Sequence, residues 1–216
     1  MDVINLSEHN SILNNFVSEI RDVNIQNDRL RFRRNIERIG EIMAYEISKS
    51  LDYETVETQT PLGISTSSCL VTPVVLGTIL RAGLGFHHGF LNYFDKAENA
   101  FVSAYRKYKE NHQSFQVHIE YIASPLLNNK TLIITDPMLA TGESMDLSYR
   151  ALLTKGQPSK VHIATIIASQ YAIDYCRKSI PEATIWAAAI DPELNDQAYI
   201  VPGLGDAGDL AYGEKY

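Results

Sequence analysis

Apolar positions recur every three or four residues along 28–51. Phe32, Ile36, Ile39, Met43 and Ile47 form one stripe, and Arg33, Arg34, Glu37, Arg38 and Glu41 form the opposite face. That spacing predicts an amphipathic helix seated on a core, with Asp28 placed to cap its first turn. A weaker pattern of the same period runs through 9–23. Residues 53–60, rich in Thr and Val and followed by Pro61 and Gly63, predict an extended strand or arm. From about residue 69 the period changes. An apolar run at 69–80 breaks at 81–85, and 100–105 and 116–123 predict strands flanking a polar, charged loop at 107–115. A compact apolar strand at 131–135 is followed by a helix at 143–155, stopped by Gly156. A buried strand at 161–169, a helix at 170–179 closed by Pro181 and a strand at 184–190 continue the alternation. Strands alternating with helices predict an α/β fold, a parallel sheet flanked by helices on both faces. No repeat, low-complexity tract or linker interrupts it. The expectation is one domain over 1–216, with 1–51 as an N-terminal helical extension.

Composition narrows the chemistry. A chain of 216 residues with 45% hydrophobic and 21% charged residues is an ordinary globular mixture, long enough for a large core. Nineteen basic against 26 acidic residues give a net charge of −7, which repels nucleic-acid backbones. No nucleic-acid partner is therefore expected, whereas a phosphorylated small ligand needs only local positive potential. Cys69 and Cys176 form no CxxC pair and no metal spacing, so a reducing compartment is the default. The start, MDVINLSEHN, lacks the basic and apolar regions of a signal peptide, and no apolar run approaches the length of a membrane span. A cytoplasmic protein without a membrane partner is expected.

The most informative segment is TLIITDPMLATGESM, residues 131–145. An apolar strand ends in Asp136 and Pro137, and Ala140, Thr141, Gly142, Glu143 and Ser144 lead into a helix. In open α/β sheets ligands bind beyond the carboxyl ends of strands, and a loop feeding a helix N-terminus gathers free N–H groups that hold phosphate. Thr141 and Ser144 add hydroxyls, Gly142 lets the backbone approach, and an ionised Asp136 suits ribose hydroxyls or a metal. No Gly-Lys-Ser/Thr follows, so this is not a Walker A loop. Taken alone, the segment is equally well a turn with Thr141 or Ser144 as helix cap. Arg81, at a break into Ala-Gly-Leu-Gly, is a forked donor for phosphate oxygens or a plain surface Arg. Residues 203–208 spell GxGxxG, but only eight residues follow Gly208, too few for a dinucleotide-binding unit. His87 and His88 are neighbours that point in different directions on a helix and make a poor zinc pair.

DPMLATG after an apolar strand resembles the phosphoribosyl-pyrophosphate (PRPP) signature of the uracil phosphoribosyltransferases. Ile79–Gly85 (ILRAGLG), Tyr105-Arg106 and Tyr199–Asp209 (YIVPGLGDAGD) match the same family in order and spacing, and Phe32-Arg33 and Tyr45-Glu46 look similar. The resemblance covers about residues 28 to 213. It implies a type I phosphoribosyltransferase-like fold with a C-terminal base-binding loop. It implies the conversion of uracil and PRPP to UMP and diphosphate with Mg²⁺, the metal being held mainly by PRPP rather than by protein ligands. It further implies a homo-oligomer, dimer or tetramer. Carried over residue by residue, Asp136, Arg106 and Asp206 are the catalytic set. PRPP falls to Arg81, Arg106, Asp136, Pro137, Met138, Leu139, Ala140, Thr141, Gly142, Glu143, Ser144 and Asp206. Uracil falls to Ile200, Gly205, Asp206 and Ala207. Lys107 and Lys109, in the loop after Arg106, could close over an anion. Three departures stand out: Glu143 where the family usually has Gly, Gly77-Thr78 in place of Val-Pro, and a divergent loop after Arg106. The rivals are a superfamily enzyme acting on a purine or orotate, and a non-catalytic PRPP or nucleotide sensor.

Overall fold

The computed structural model describes residues 1–108 and 115–214, with the side chains of all these except 104–108 and 115–118. A short strand β1 (Val3–Asn5) precedes helices α1 (Ile12–Arg21) and α2 (Arg29–Ser48). Each helix starts where a side chain replaces a missing backbone acceptor. Ser11 Oγ accepts from the Leu13 N–H at 3.2 Å, and the Asp28 carboxylate accepts from the Arg31 N–H at 3.0 Å. The stripe read from the sequence is the buried face of α2, with Phe32, Ile36, Ile39, Met43 and Ile47 each at most 1% exposed. At roughly 1.5–3 kcal/mol per buried side chain, those five dominate the local energetics over propensity.

Strands β2 (Tyr53–Thr60) and β3 (Gly63–Leu70) form an antiparallel hairpin apart from the main sheet, exposed along both strands. The apolar run at 69–80 therefore splits around Pro73, and only β4 (Val74–Leu80) enters the core. Next come α3 (Gly83–Leu91), β5 (Glu98–Tyr108), β6 (Phe115–Ala123), β7 (Thr131–Thr135), β8 (Met138–Leu139), α4 (Glu143–Leu153), β9 (Lys160–Ser169), α5 (Gln170–Ser179) and β10 (Thr184–Asp191). The chain closes with β11 (Glu193–Leu194), β12 (Ile200–Val201) and α6 (Ala207–Tyr212).

The main sheet has the order β1-β10-β9-β7-β4-β5-β6, with β8 beside β9. Neighbours are parallel except β6, which runs antiparallel to β5. Alternate residues of β4 face opposite layers. Val74 and Leu76 join the core under α1, α2 and α3, while Val75 and Ile79 join the core under α4 and α5. Helix α3 was hidden from pattern reading because three of its nine residues are glycine. Two of the contacts explain the small residues. A Cβ on Gly89 would lie 2.1 Å from the Glu37 carbonyl, and one on Gly40 would lie 2.4 Å from the Phe86 carbonyl. Helices α2 and α3 thus cross backbone against backbone.

Candidate active site

The strand order reverses direction between β4 and β7: from β4 the chain goes one way to β5, and from β7 it goes the other way to β9 and β10. Such a switch point leaves a crevice beyond the carboxyl ends of the strands. Two fully buried threonines tie those ends together. Thr135 Oγ1 donates to the Gly77 carbonyl at 3.0 Å, and Thr78 Oγ1 donates to the Thr135 carbonyl at 3.4 Å. Arg81 leaves β4 at this edge and Asp136 leaves β7 beside it.

The loop after β7 is fixed at nearly every step. The Asp136 N–H donates to the Ala164 carbonyl at 3.1 Å, and Asp136 Oδ1 accepts from the Met138 N–H at 3.4 Å. Met138 and Leu139 then pair with Ile167 and Ala168 of β9. The buried Ser169 hydroxyl donates to the Ala140 carbonyl at 2.6 Å while accepting from the Ala172 N–H at the start of α5. Thr141 Oγ1 accepts from the Glu143 N–H at 3.4 Å, a turn contact just ahead of the helix; the N-cap position itself is Gly142, so neither Thr141 nor Ser144 is the N-cap of α4. Gly142 itself opens α4 at φ +83°, and a Cβ there would lie 2.8 Å from Tyr175 Cδ1 and 3.2 Å from Cys176 Sγ. Both the backbone angle and the space exclude a side chain. Helix α4 thus starts directly from the loop beyond the carboxyl end of β7, the arrangement in which a helix N-terminus offers backbone N–H groups to an anion.

Carboxylates flank that helix start. Asp146, 7% exposed, accepts from Arg150 Nε at 2.8 Å and from the Tyr175 hydroxyl at 3.2 Å. Burial pushes the Tyr175 phenol up, and the charges of Asp146 and then Glu143 add to the shift. The Glu143 charge is thus felt on the α5 side of the loop. It also sits in the first turn of α4, where the helix dipole favours an anion. Cys176, behind the loop, is buried and its thiol is pushed up to about 12, mainly by desolvation. It is an inert core thiol.

The C-terminal segment reaches the same edge. Arg81 Nη2 donates to Asp209 Oδ1 at 2.8 Å and to the Gly213 carbonyl at 3.1 Å. Asp206 caps α6 by accepting from the Asp209 N–H at 3.0 Å, and Ile200 and Ala207 are buried at 4% and 2% exposure. A cleft of about 260 Å³ opens beside this turn, lined by Gly205, Asp206 and Asp209 together with Gln26 and Arg29 of the N-terminal segment. The peptide bonds Leu80–Arg81 and Val201–Pro202 are cis.

Arg81, the 136–144 loop and the 200–209 segment are thus brought to one sheet edge. Arg106 lies on β5 opposite Val117 of β6, and its side chain falls outside the described residues, as does that of Lys107; Lys109 lies outside them altogether. Sequence reasoning missed Ser169, Tyr175, Arg21 and Asp191. A Ser ending a buried strand ahead of a helix was a cap signal that could have marked Ser169. Asp191, at a strand tip before Pro192, repeats the pattern of Asp136-Pro137. Nothing in the local sequence marks Arg21.

The order, the switch point and the loop-to-helix start define a phosphoribosyltransferase type of fold. A hypoxanthine phosphoribosyltransferase from Staphylococcus aureus superposes with a TM-score of 0.50 over 86% of this chain and 83% of that one. At 14% identity that likeness concerns the fold alone. The chain belongs to the uracil phosphoribosyltransferase family, whose family model matches residues 7–214. A uracil phosphoribosyltransferase of Porphyromonas gingivalis is 66% identical over 216 residues, covering all of both chains. One from Sulfolobus acidocaldarius is 35% identical over 210 residues, covering 94% of this chain and 96% of its own. The solved AQ2163 protein of Aquifex aeolicus superposes with a TM-score of 0.87 at 30% identity over 98% of each chain.

Proposed function

We propose that this protein transfers the phosphoribosyl group of PRPP to uracil, giving UMP and diphosphate. The observation that carries this reading is the convergence of Arg81 and the 206–209 turn, in direct contact at 2.8 Å, beside the loop that opens α4. In this reading the N–H groups of 140–144 hold the 5′-phosphate, and Asp136 accepts from ribose hydroxyls. Arg81 and Arg106 meet the diphosphate. Backbone groups at Ile200 and from Gly205 to Ala207 match the carbonyls and N–H of uracil. A pocket of fixed main-chain groups rejects bases that leave those groups unpaired. A ring nitrogen of uracil attacks C1 of the ribose and loses its proton, while the C1–O bond to diphosphate breaks on the opposite face. The protein positions two substrates and stabilises the departing charge.

The donor set at this edge, Asp136, Thr141 and Asp206, is hard oxygen and suits Mg²⁺. Among the described residues no three His, Cys, Asp or Glu side chains cluster tightly enough to hold a metal by themselves. The reading has Mg²⁺ carried mainly by PRPP oxygens, as the family resemblance implies, with Asp206 facing that side. When bound, the ion would neutralise charge on the diphosphate.

The chain is read as one domain over 1–216, acting in the cytoplasm; among the described residues no helix is long and apolar enough to cross a membrane. A homo-oligomer, dimer or tetramer, completes the reading. Its support is the β2–β3 hairpin, with Val56 and Ile64 exposed and Leu62 fully so, because a lone two-stranded ribbon is marginal in water. Light scattering of purified protein tests the oligomer, and a monomer at micromolar concentration rejects it. Incubation of purified protein with uracil, PRPP and Mg²⁺ tests the activity. UMP and diphosphate are expected in equal amounts. Inert uracil with reacting hypoxanthine or orotate would establish the purine or orotate rival, and PRPP binding without diphosphate release would establish the sensor.

A further inference from the structure

We infer that Arg21 and Asp191 are positioning residues for uracil recognition, acting through the backbone of Gly203. The inference rests on the reading of Ile200 and Gly205 to Ala207 as the base-reading segment. Arg21 is the last residue of α1, and Asp191 is the last residue of β10. The guanidinium spans both carboxylate oxygens, Nη1 to Oδ2 and Nη2 to Oδ1, each at 2.8 Å. Asp191 is 5% exposed. The pair has capacity left, and it spends that capacity on one residue. Asp191 Oδ2 accepts from the Gly203 N–H at 2.8 Å, and Arg21 Nη1 donates to the Gly203 carbonyl at 2.9 Å. Both polar groups of Gly203 are therefore held by one ion pair. One residue on, Gln26 Nε2 donates to the Leu204 carbonyl at 3.2 Å and to the Ile20 carbonyl at 2.9 Å.

Gly203 needs such a hold. Its φ is +57°, and a Cβ there would lie 2.1 Å from the Ile200 carbonyl, so the chain doubles back sharply at this point. Gly205 follows at φ +94°. A segment this rich in glycine is loose unless contacts from outside restrain it. Main-chain groups discriminate a base only when fixed to within about 0.5 Å. A forked Arg–carboxylate pair, directional and largely buried, supplies that rigidity at the residue two before Gly205. The N-terminal extension thereby serves the base site without touching the base.

The test compares Arg21→Lys, Asp191→Asn and Gln26→Ala with the parent enzyme in steady-state kinetics, varying uracil and PRPP separately, with thermal unfolding measured in parallel. KM for uracil should rise about tenfold in the first two variants and about two- to threefold in Gln26→Ala, a tenfold change being about 1.4 kcal/mol. KM for PRPP should stay within about twofold, because the 136–144 loop is untouched. A purely structural pair would lower the unfolding temperature and leave both KM values alone, or move them together, and either result overturns the inference. If Arg21→Lys and Asp191→Asn yield no folded protein, an unchanged KM for uracil in Gln26→Ala overturns it, and a selective rise supports it. Failure of the base reading is separately visible, since the parent enzyme would then not turn over uracil at all.

Discussion

Gly142→Ala is the sharpest probe of the loop that opens α4. The new methyl would meet Tyr175 Cδ1 at 2.8 Å and Cys176 Sγ at 3.2 Å, and the residue would have to keep φ at +83°. The left-handed backbone costs a non-glycine residue about 1–2 kcal/mol, and forcing a methyl into a packed site costs about 1–3 kcal/mol. The sum is about 2–5 kcal/mol, a large share of the roughly 5–15 kcal/mol that holds a protein folded. For a chain of 216 residues, at about 2–4 °C per kcal/mol, that corresponds to a fall in melting temperature of about 4–20 °C. Relief of the strain would pull the N–H groups of Thr141 to Ser144 out of line, so KM for PRPP should rise about tenfold or more while KM for uracil changes little. Calorimetry and initial rates measure both effects. Tyr175→Ala removes the nearest obstacle, so the double variant should recover about 1 kcal/mol relative to additivity but not the backbone cost. A single variant melting within about 2 °C of the parent, with unchanged KM for PRPP, would refute the packing argument and the phosphate assignment together.

Asp136→Asn should keep the melting temperature within about 2 °C and lose at least about tenfold in kcat; full turnover would remove Asp136 from the site. Glu143→Gly should leave activity intact or raise it by removing an anion beside the phosphate loop. It should cost about 1–2 kcal/mol of stability through a lost dipole contact and a glycine in the first turn, and a large loss of kcat would show that the carboxylate acts in the reaction. Burial, with a smaller contribution from Lys160, holds the His162 ring down to about 4 from its usual 6.5. Between pH 6.5 and 4 the unfolded chain takes up a proton that the folded chain resists, so stability falls as the pH falls through that window, by about 3 kcal/mol in all. Denaturant unfolding at pH 7 and pH 4 should show this fall, and His162→Gln should flatten it; an equal acid loss in both proteins would discard His162 as the cause.

The parallel sheet was legible because its strands and helices alternate with different hydrophobic periods, and α2 was legible because five apolar residues keep one face. The DPMLATG segment announced a helix start beyond a strand, and that is where Gly142 sits. What stayed hidden has physical reasons. Helix α3 lost its helical signal to its three glycines, of which Gly89 is required by the crossing with α2 and Gly83 by the close approach of Thr78 on β4. Strand β3, GISTSSCL, carries no alternating apolar face because neither of its faces is buried. Helix α6 (Ala207–Tyr212) follows Gly203 and Gly205, carries Gly208 in its own first turn and is capped by Asp206, so a glycine-rich loop was the natural reading where a short capped helix stands. The Arg21–Asp191 pair joins residues 170 positions apart, and no local pattern carries a contact of that span.

The glycine crossing of α2 and α3 has a mechanical corollary. With carbonyl oxygens facing the partner's backbone at Gly40 and Gly89, the two helices have almost no compliance toward each other. They behave as a single strut, and the near end of that strut begins at Gly83, two residues past Arg81. A methyl group inserted at the crossing would pry the strut open like a shim and swing its Arg81 end. Damage done deep in a layer of helices would then surface as a guanidinium out of place.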